Sequence, residues 1–216
     1  MTDRAARQRT RRGREQQREA TRRRLVEGGL ACFARKGYDR TTVEDILSET
    51  GAGRATFYAH FNGKAQLLTS ALSELDPIVD ASYEVLNRSL SQPGGLTPEL
   101  LHRWLDGWAD EWERHAVLLR AAWQAAAADP DLYRRSLAVE ERLTELMTNY
   151  LQRFQGASRE RARVRSVLLQ MMTERTFYTM IWSGSLNRVH AIDVLVEFWW
   201  SVLSNDEQPP SPPAGP

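Results

Sequence analysis

"TGAGRATFYAHFNGK" (Thr50–Lys64) decides the reading of the chain. At 100° per residue, Phe57 and Phe61 share one face of a short helix over Arg54–Phe61, while Ala55, Thr56 and Ala59 point the other way. Small outward side chains let a helix backbone approach a surface closely, and the major groove of a DNA duplex admits such a helix. Tyr58 and His60 flank the bare face and can reach phosphates on either side. Lys64 opens the next helix, where its ammonium and the free N–H groups of the helix start would meet a phosphate.

Working outward, Thr42 is a good N-cap for a helix over Val43–Thr50, with Asp45 at N3 forming an approximate capping box. Gly51 supplies the left-handed residue past its end. Two short helices joined by so tight a turn outline a helix-turn-helix. Before them, Leu25, Val26, Leu30 and Phe33 follow three- and four-residue steps in a helix over about Glu15–Lys36, stopped at Gly37. Residues 1–14 carry Arg4, Arg7, Arg9, Arg11, Arg12 and Arg14 with almost nothing apolar, which predicts a disordered basic arm. Cys32, the only cysteine, excludes an intrachain disulfide and reads as a small buried side chain.

The remaining chain also reads as helices: Lys64–Leu90 as one long helix broken by "SQPGG", then Pro98 onward behind the cap Thr97, Leu118–Ala127, Pro130–Phe154, Ser158–Trp182 and Val189–Ser204. No alternating strand pattern competes. The fold class is therefore all-α. An N-terminal three-helix DNA-binding domain (15–67) precedes a helical ligand-binding and dimerisation domain (68–204) and a disordered Pro-rich tail (205–216).

The formal net charge of +1 hides an asymmetry. Residues 1–64 hold 15 Lys and Arg against 8 Asp and Glu; residues 65–216 hold 14 against 20. A basic third joined to an acidic remainder suits a nucleic-acid-binding piece attached to something else. No apolar run reaches the roughly 18 residues of a membrane span, and no signal-peptide segment opens the chain, so a cytoplasmic protein without a membrane partner is expected.

"GYDRTTVEDILSETGAGRATFYAHFNGKAQLL" (Gly37–Leu68) resembles the helix-turn-helix signature of TetR-family transcriptional regulators. The resemblance implies that Thr42, Arg54, Ala55, Thr56, Tyr58, His60 and Lys64 face DNA. Gly53 stands where the family usually caps the recognition helix with Ser, and offers no side-chain acceptor. The Gly28-Gly29 pair, where the family favours alanines, should weaken the first helix by roughly 1 kcal/mol per glycine. "LLQMMTERTFYTMIW" (Leu168–Trp182) and "VLVEFWWSVL" (Val194–Leu203) are similar to the subfamily of the mycobacterial ethionamide-activation repressor, which implies an apolar ligand tunnel and dimerisation through the last two helices.

The last helix is apolar over so much of its circumference that it needs cover on two sides. A second copy of the chain is the simplest second cover, with Val194, Phe198, Trp199, Trp200 and Val202 as candidate interface residues. Trp104, Trp108 and Trp112 form one stripe. With Met147 and Phe177 they read position by position as core, and together as candidate walls of an effector site. Gln170 and Thr173, polar among apolar neighbours, are candidate anchors for a small, largely apolar effector. The four histidines show no metal-ligand spacing with Cys or carboxylates, and "SGS" (Ser183–Ser185) follows no strand, so no catalytic residue, metal or cofactor is expected. The pattern therefore predicts a ligand-responsive regulator, a repressor, that binds a palindromic double-stranded operator as a homodimer. The rival is an architectural DNA-binding protein, which would need no aromatic-rich second domain.

Overall fold

The computed structural model describes residues 2–92 and 94–204, with side chains from Arg11 onward. The expected Pro-rich tail lies outside the described residues. The helices are α1 (Thr2–Lys36), α2 (Val43–Thr50), α3 (Arg54–Tyr58), α4 (Lys64–Ser73), α5 (Asp76–Ser89), α6 (Pro98–Arg114), α7 (Ala116–Ala128), α8 (Pro130–Leu146), α9 (Thr148–Leu151), α10 (Gly156–Tyr178) and α11 (Arg188–Leu203). A π-turn over Thr179–Ser183 ends α10. No strand occurs among the described residues, so the chain is all-α.

Three expectations are corrected. The segment expected as a disordered arm over 1–14 is helical from Thr2, continuous with α1. Its Ala, Arg, Gln and Glu residues favour helix, and only Gly13 interrupts them. The long helix expected over 64–90 breaks after Ser73. Pro77 lacks an N–H and crowds the carbonyl four residues back, so α5 starts afresh at Asp76. The helix expected over 130–154 divides at Met147, whose φ of −83° and ψ of 36° leave the helical region.

The chain forms two compact units that interleave in sequence: 1–75 with 117–134, and 76–116 with 135–216. Residues 68–75 and 117–134, placed in the second domain by the expected boundary at 67/68, thus belong with the helix-turn-helix. Their apolar side chains explain this. Leu118, Ala121, Ala125 and Leu132 are buried in one cluster with Leu25, Cys32, Phe33, Ile46, Phe57, Phe61, Leu67 and Leu68. Cys32 sits inside it as expected, and burial pushes its thiol pKa up.

Gly28 and Gly29 set how closely α1 approaches its neighbours. A Cβ at Gly28 would lie 2.2 Å from Cγ2 of Thr50 in α2, and one at Gly29 would lie 2.7 Å from Cδ2 of Leu67 in α4. The pair costs helix propensity, yet alanine there would force the helices apart.

The second unit is built on aromatic contacts between sequence-distant helices. Trp104 packs on Trp199 (5.0 Å between ring centroids) and Tyr83 (5.4 Å), and Trp112 packs on Phe177 (5.8 Å). Ion pairs staple its rim. Arg188, at the start of α11, meets Asp106, Asp110 and Glu113 along one face of α6. Arg142 of α8 meets Asp76 and Asp80 of α5.

Candidate nucleic-acid interface

The α2–α3 segment folds from local signals. Thr42 accepts from the Asp45 backbone N–H at 3.2 Å, and the Asp45 carboxylate accepts from the Thr42 N–H at 2.9 Å, closing the capping box. Gly51 takes φ 64° and ψ 14° past the end of α2, a conformation that glycine adopts without strain. The Lys36 ammonium, 2.6 Å from Asp45, also holds that carboxylate, and its pKa falls to about 2. Gly53 is extended and caps α3 without a side-chain hydrogen bond, as its lack of a side chain dictates.

In α3 Phe57 and Phe61 are buried while Arg54, Ala55, Thr56, Tyr58 and Ala59 are exposed, and His60 is half-buried at the edge. Hydrogen bonds from the Ala59, His60 and Phe61 N–H groups continue the turn past Tyr58, which keeps Phe61 on the same face as Phe57. Tyr58 stands 49% exposed, its ring edge-on to Phe57.

The starts of α2, α3 and α4 gather at one end of the unit. Arg54 pairs with Glu44 in the first turn of α2, and Lys64 at the start of α4 reaches the chain just before Thr42. Unpaired N–H groups and positive dipole ends are thus collected beside the bare face of α3.

Lys64 serves differently from its expected role. Its ammonium donates to the carbonyls of Tyr38 (2.7 Å), Asp39 (3.1 Å) and Thr41 (2.9 Å), and lies 4.3 Å from the centre of the Tyr38 ring. Three donors and three acceptors exhaust it, and burial lowers its pKa. The side chain fixes the α1–α2 loop, which leaves the backbone N–H groups of α4 as the phosphate-directed element at this position. The far side of the same loop is held by Gln124 of α7, whose Oε1 accepts from the Tyr38 N–H at 2.8 Å. Burial beside Asp129 and Asp39 pushes the Tyr38 phenol up to about 12. No periodicity marks Gln124, so sequence reading missed it. Arg54 is likewise not free, being paired with Glu44, ten residues earlier.

The candidate effector residues fall within the second unit. Trp104, Trp112, Met147, Gln170, Thr173 and Phe177 are buried, and Trp108 is half-buried beside Tyr83. Trp104 donates from Nε1 to the Ser82 carbonyl. The Thr173 hydroxyl is already satisfied, donating to the Leu169 carbonyl and accepting from Trp199 Nε1 at 2.9 Å. Gln170 differs: Nε2 reaches Thr144 at 3.4 Å, but Oε1 is buried with no hydrogen-bond partner. A cavity of about 350 Å³ opens elsewhere in the unit, where Thr144, Thr148, Leu151, Arg159 and Arg163 are among its walls, and none of the seven candidates lines it.

The candidate interface residues divide. Val194 and Phe198 are 47% and 51% exposed, and Trp200 and Val202 are half-buried. Trp199 is corrected: it is fully buried within its own unit, against Trp104 and hydrogen-bonded to Thr173. A helical step of one residue turns it 100° away from Phe198, onto the core side. On α10, Val164, Leu168 and Met171 are also exposed. Their four- and three-residue spacing is a legible stripe that the sequence reading passed over.

Residues 25–71 match the family model of the bacterial regulatory proteins, tetR family. Over 102 residues the chain is 29% identical to an HTH-type transcriptional repressor of Streptomyces coelicolor, an alignment covering 47% of this chain and 47% of that protein. The chain thus spans about half the length of this curated relative. Its fold is similar to that of a TetR-like transcriptional regulator from Rhodococcus, with a TM-score of 0.61 at 17% identity over 85% of this chain and 96% of that one. It is also similar to FadR of Thermus thermophilus, a TetR-family transcriptional repressor crystallised with lauroyl-CoA, with a TM-score of 0.57 at 19% identity over 90% and 99% of the two chains. With the helix-turn-helix matched in sequence and the full helical architecture matched in fold, the chain belongs to the TetR family of bacterial regulatory proteins.

Proposed function

We propose that the chain is a transcriptional repressor that binds a two-fold symmetric DNA operator as a homodimer and releases it when a small, largely apolar effector enters the second unit. The observation that carries this reading is the exposed face of α3, bare at Ala55 and Ala59, braced from behind by buried Phe57 and Phe61. Such a face fits a major groove. Arg54 and Thr56 read base edges, Arg54 exchanging Glu44 for a guanine. Ala55 and Ala59 allow close approach and can touch a thymine methyl. Gly53 lets the backbone come near the duplex. Thr42, Tyr58 and His60 position the helix on phosphates, with the start of α4 at Lys64 contributing its N–H groups.

A dimer would present two copies of α3 about 34–36 Å apart, one DNA turn, to successive major grooves. The exposed apolar side chains of α10 and α11, Val164, Leu168, Met171, Val194 and Phe198, support a second copy as their cover, with Trp200 and Val202 at its edge.

The effector reading rests on the ring-lined core around Trp104, Trp108, Trp112, Met147 and Phe177 and on the unpartnered Oε1 of Gln170, which a donor on a ligand would satisfy. Rings packed against one another must part to admit it. The acyl thioester held by the Thermus repressor supports a long apolar ligand class. The chain passes between the two units at Leu75/Asp76, Ala116/Val117 and Arg134/Arg135, so a displaced core helix has three covalent routes to the DNA-binding unit. A hundredfold preference of the effector for the released arrangement shifts the balance by about 2.7 kcal/mol.

Two measurements test the proposal together. Sedimentation at micromolar concentration should give a dimer, and DNA retardation with fragments flanking the chain's own gene should be reversed by an apolar compound found by thermal shift. A monomer, or retardation that no thermally stabilising compound alters, removes the corresponding part.

A further inference from the structure

Charge is unevenly placed within the first unit. Between Leu25 and Lys64, Arg35, Lys36, Arg40, Arg54 and Lys64 stand against an equal number of carboxylates, Glu27, Asp39, Glu44, Asp45 and Glu49. The cations are engaged within the unit. Arg35 pairs with Glu49, Lys36 with Asp45 and Arg54 with Glu44; Arg40 donates to the Lys36 carbonyl, and Lys64 holds its loop. The segment that would read bases is thus neutral. A neutral surface gains little from counterion release, the source of most sequence-independent affinity for a duplex.

The excess lies earlier. The first 24 residues hold ten arginines against Asp3, Glu15 and Glu19. Residues 11–20 are all exposed, and tertiary contact begins at half-buried Thr21 and at Arg22, which reaches Ser70 and Glu74 of α4. A helix without packing partners is marginal in water, so little holds this stretch in its fold.

Its direction matters. α1 runs antiparallel to α4: Arg22 meets Ser70 and Glu74, Gly29 faces Leu67, and Tyr38 meets Lys64. The helical extension therefore leaves the unit at the end opposite the gathered starts of α2, α3 and α4. As a rigid helix it would carry its arginines away from a duplex docked there. Return from Thr21 to Gly37 is about 24 Å of helix, whereas twenty residues in extended form span about 65 Å.

We propose that the chain before Thr21 is a DNA-binding arm, which leaves its helix on binding and lies along phosphates beside the bases read by α3. It rests on the DNA-binding reading above. The arm supplies the electrostatic share of affinity that the self-neutralised helix-turn-helix lacks, and carries little base preference.

The test compares full-length protein with a variant lacking residues 2–14 and with the quadruple variant Arg11→Gln, Arg12→Gln, Arg14→Gln, Arg18→Gln. The probe is a labelled duplex of arbitrary mixed sequence, about 40 base pairs long, titrated across about 50–300 mM KCl. The slope of log affinity against log salt should shrink by about 3–5 per protomer on truncation, and by a similar amount in the quadruple variant. Thermal midpoints should not move, because the removed residues contribute nothing to the core. Equal slopes in all three proteins overturn the arm. So does a truncation that abolishes binding to phosphatidylglycerol vesicles while leaving the duplex slope unchanged. Failure of the full-length protein to bind this duplex, or any duplex selected from a random library, overturns the DNA-binding reading itself.

Discussion

In residues 36–64 charged and polar groups are answered close by in sequence: Thr42 by Asp45, Lys36 by Asp45, Arg54 by Glu44. In residues 82–199 the partners are far apart. Trp104 donates to Ser82, Trp199 to Thr173, and Arg188 spans from α11 to three carboxylates of α6. The first region is shaped by caps and turns that a short peptide already encodes. The second takes its shape only when distant helices meet. A change in the first should therefore act locally and modestly, while one in the second should act through the whole core.

The largest expected effect separates neighbouring residues of α11. Trp199→Ala removes a fully buried indole, its hydrogen bond and its contact with Trp104, and should cost about 3–5 kcal/mol in urea unfolding. Phe198→Glu, next in the chain but half exposed, should leave the subunit folded and shift the sedimenting species toward monomer. Equal losses of stability in the two variants would erase the distinction between core and interface sides of this helix.

Next comes Gly28→Ala, for which helix propensity and packing predict opposite signs. Propensity alone promises a gain of about 1 kcal/mol. The 2.2 Å approach to Thr50, whose branched side chain is itself bonded to the Ile46 carbonyl, predicts a loss of about 1–3 kcal/mol instead. A thermal midpoint above wild type would contradict the close packing of α1 on α2.

Thr42→Ala should cost about 0.5–2 kcal/mol, as loss of an N-cap does. Asp45 adds a pH signature. Its pKa is depressed to about 2 by the Lys36 ammonium and the Thr42 donors, below the ordinary carboxylate value near 4. Its contribution is fully present above that ordinary value and fades as pH falls through about 2. The stability gap between wild type and Asp45→Asn should close over that window. A gap that stays constant down to pH 2 would mean that the carboxylate charge is not what holds the start of α2. The smallest effect is a gain: Gly53→Ser restores a side-chain acceptor at the start of α3, where the nearest side-chain atom to a new Cβ is Thr56 Oγ1 at 4.0 Å, and should add a few tenths of a kcal/mol.

The same division governs what could be read from the sequence. The bounds of α2, the capping box at Thr42, the turn at Gly51 and the burial of Phe57 and Phe61 follow from spacing alone, because each depends on neighbours within four residues. Lys64 shows the limit. Its place at a helix start was legible, but its engagement with the Tyr38, Asp39 and Thr41 carbonyls depends on how α1 and α4 cross. Trp199 shows the same limit in the second unit. Its helix is apolar all round, so the sequence names the helix as doubly covered without saying which side meets the core. The membership of 117–134 in the DNA-binding unit had no sequence signal, since an alanine-rich amphipathic helix fits either core.

The most direct test of the central claim is selection of bound duplexes from a randomised library by the wild-type protein, repeated with Arg54→Ala. The account predicts enrichment of two inverted half-sites whose centres lie about one DNA turn apart. It also predicts that Arg54→Ala relaxes the preference at one position of each half-site, by about 1–3 kcal/mol of discrimination. A wild-type pool with no enriched sequence would contradict base reading by α3, and an Arg54→Ala pool with the unchanged site would contradict the role assigned to that side chain.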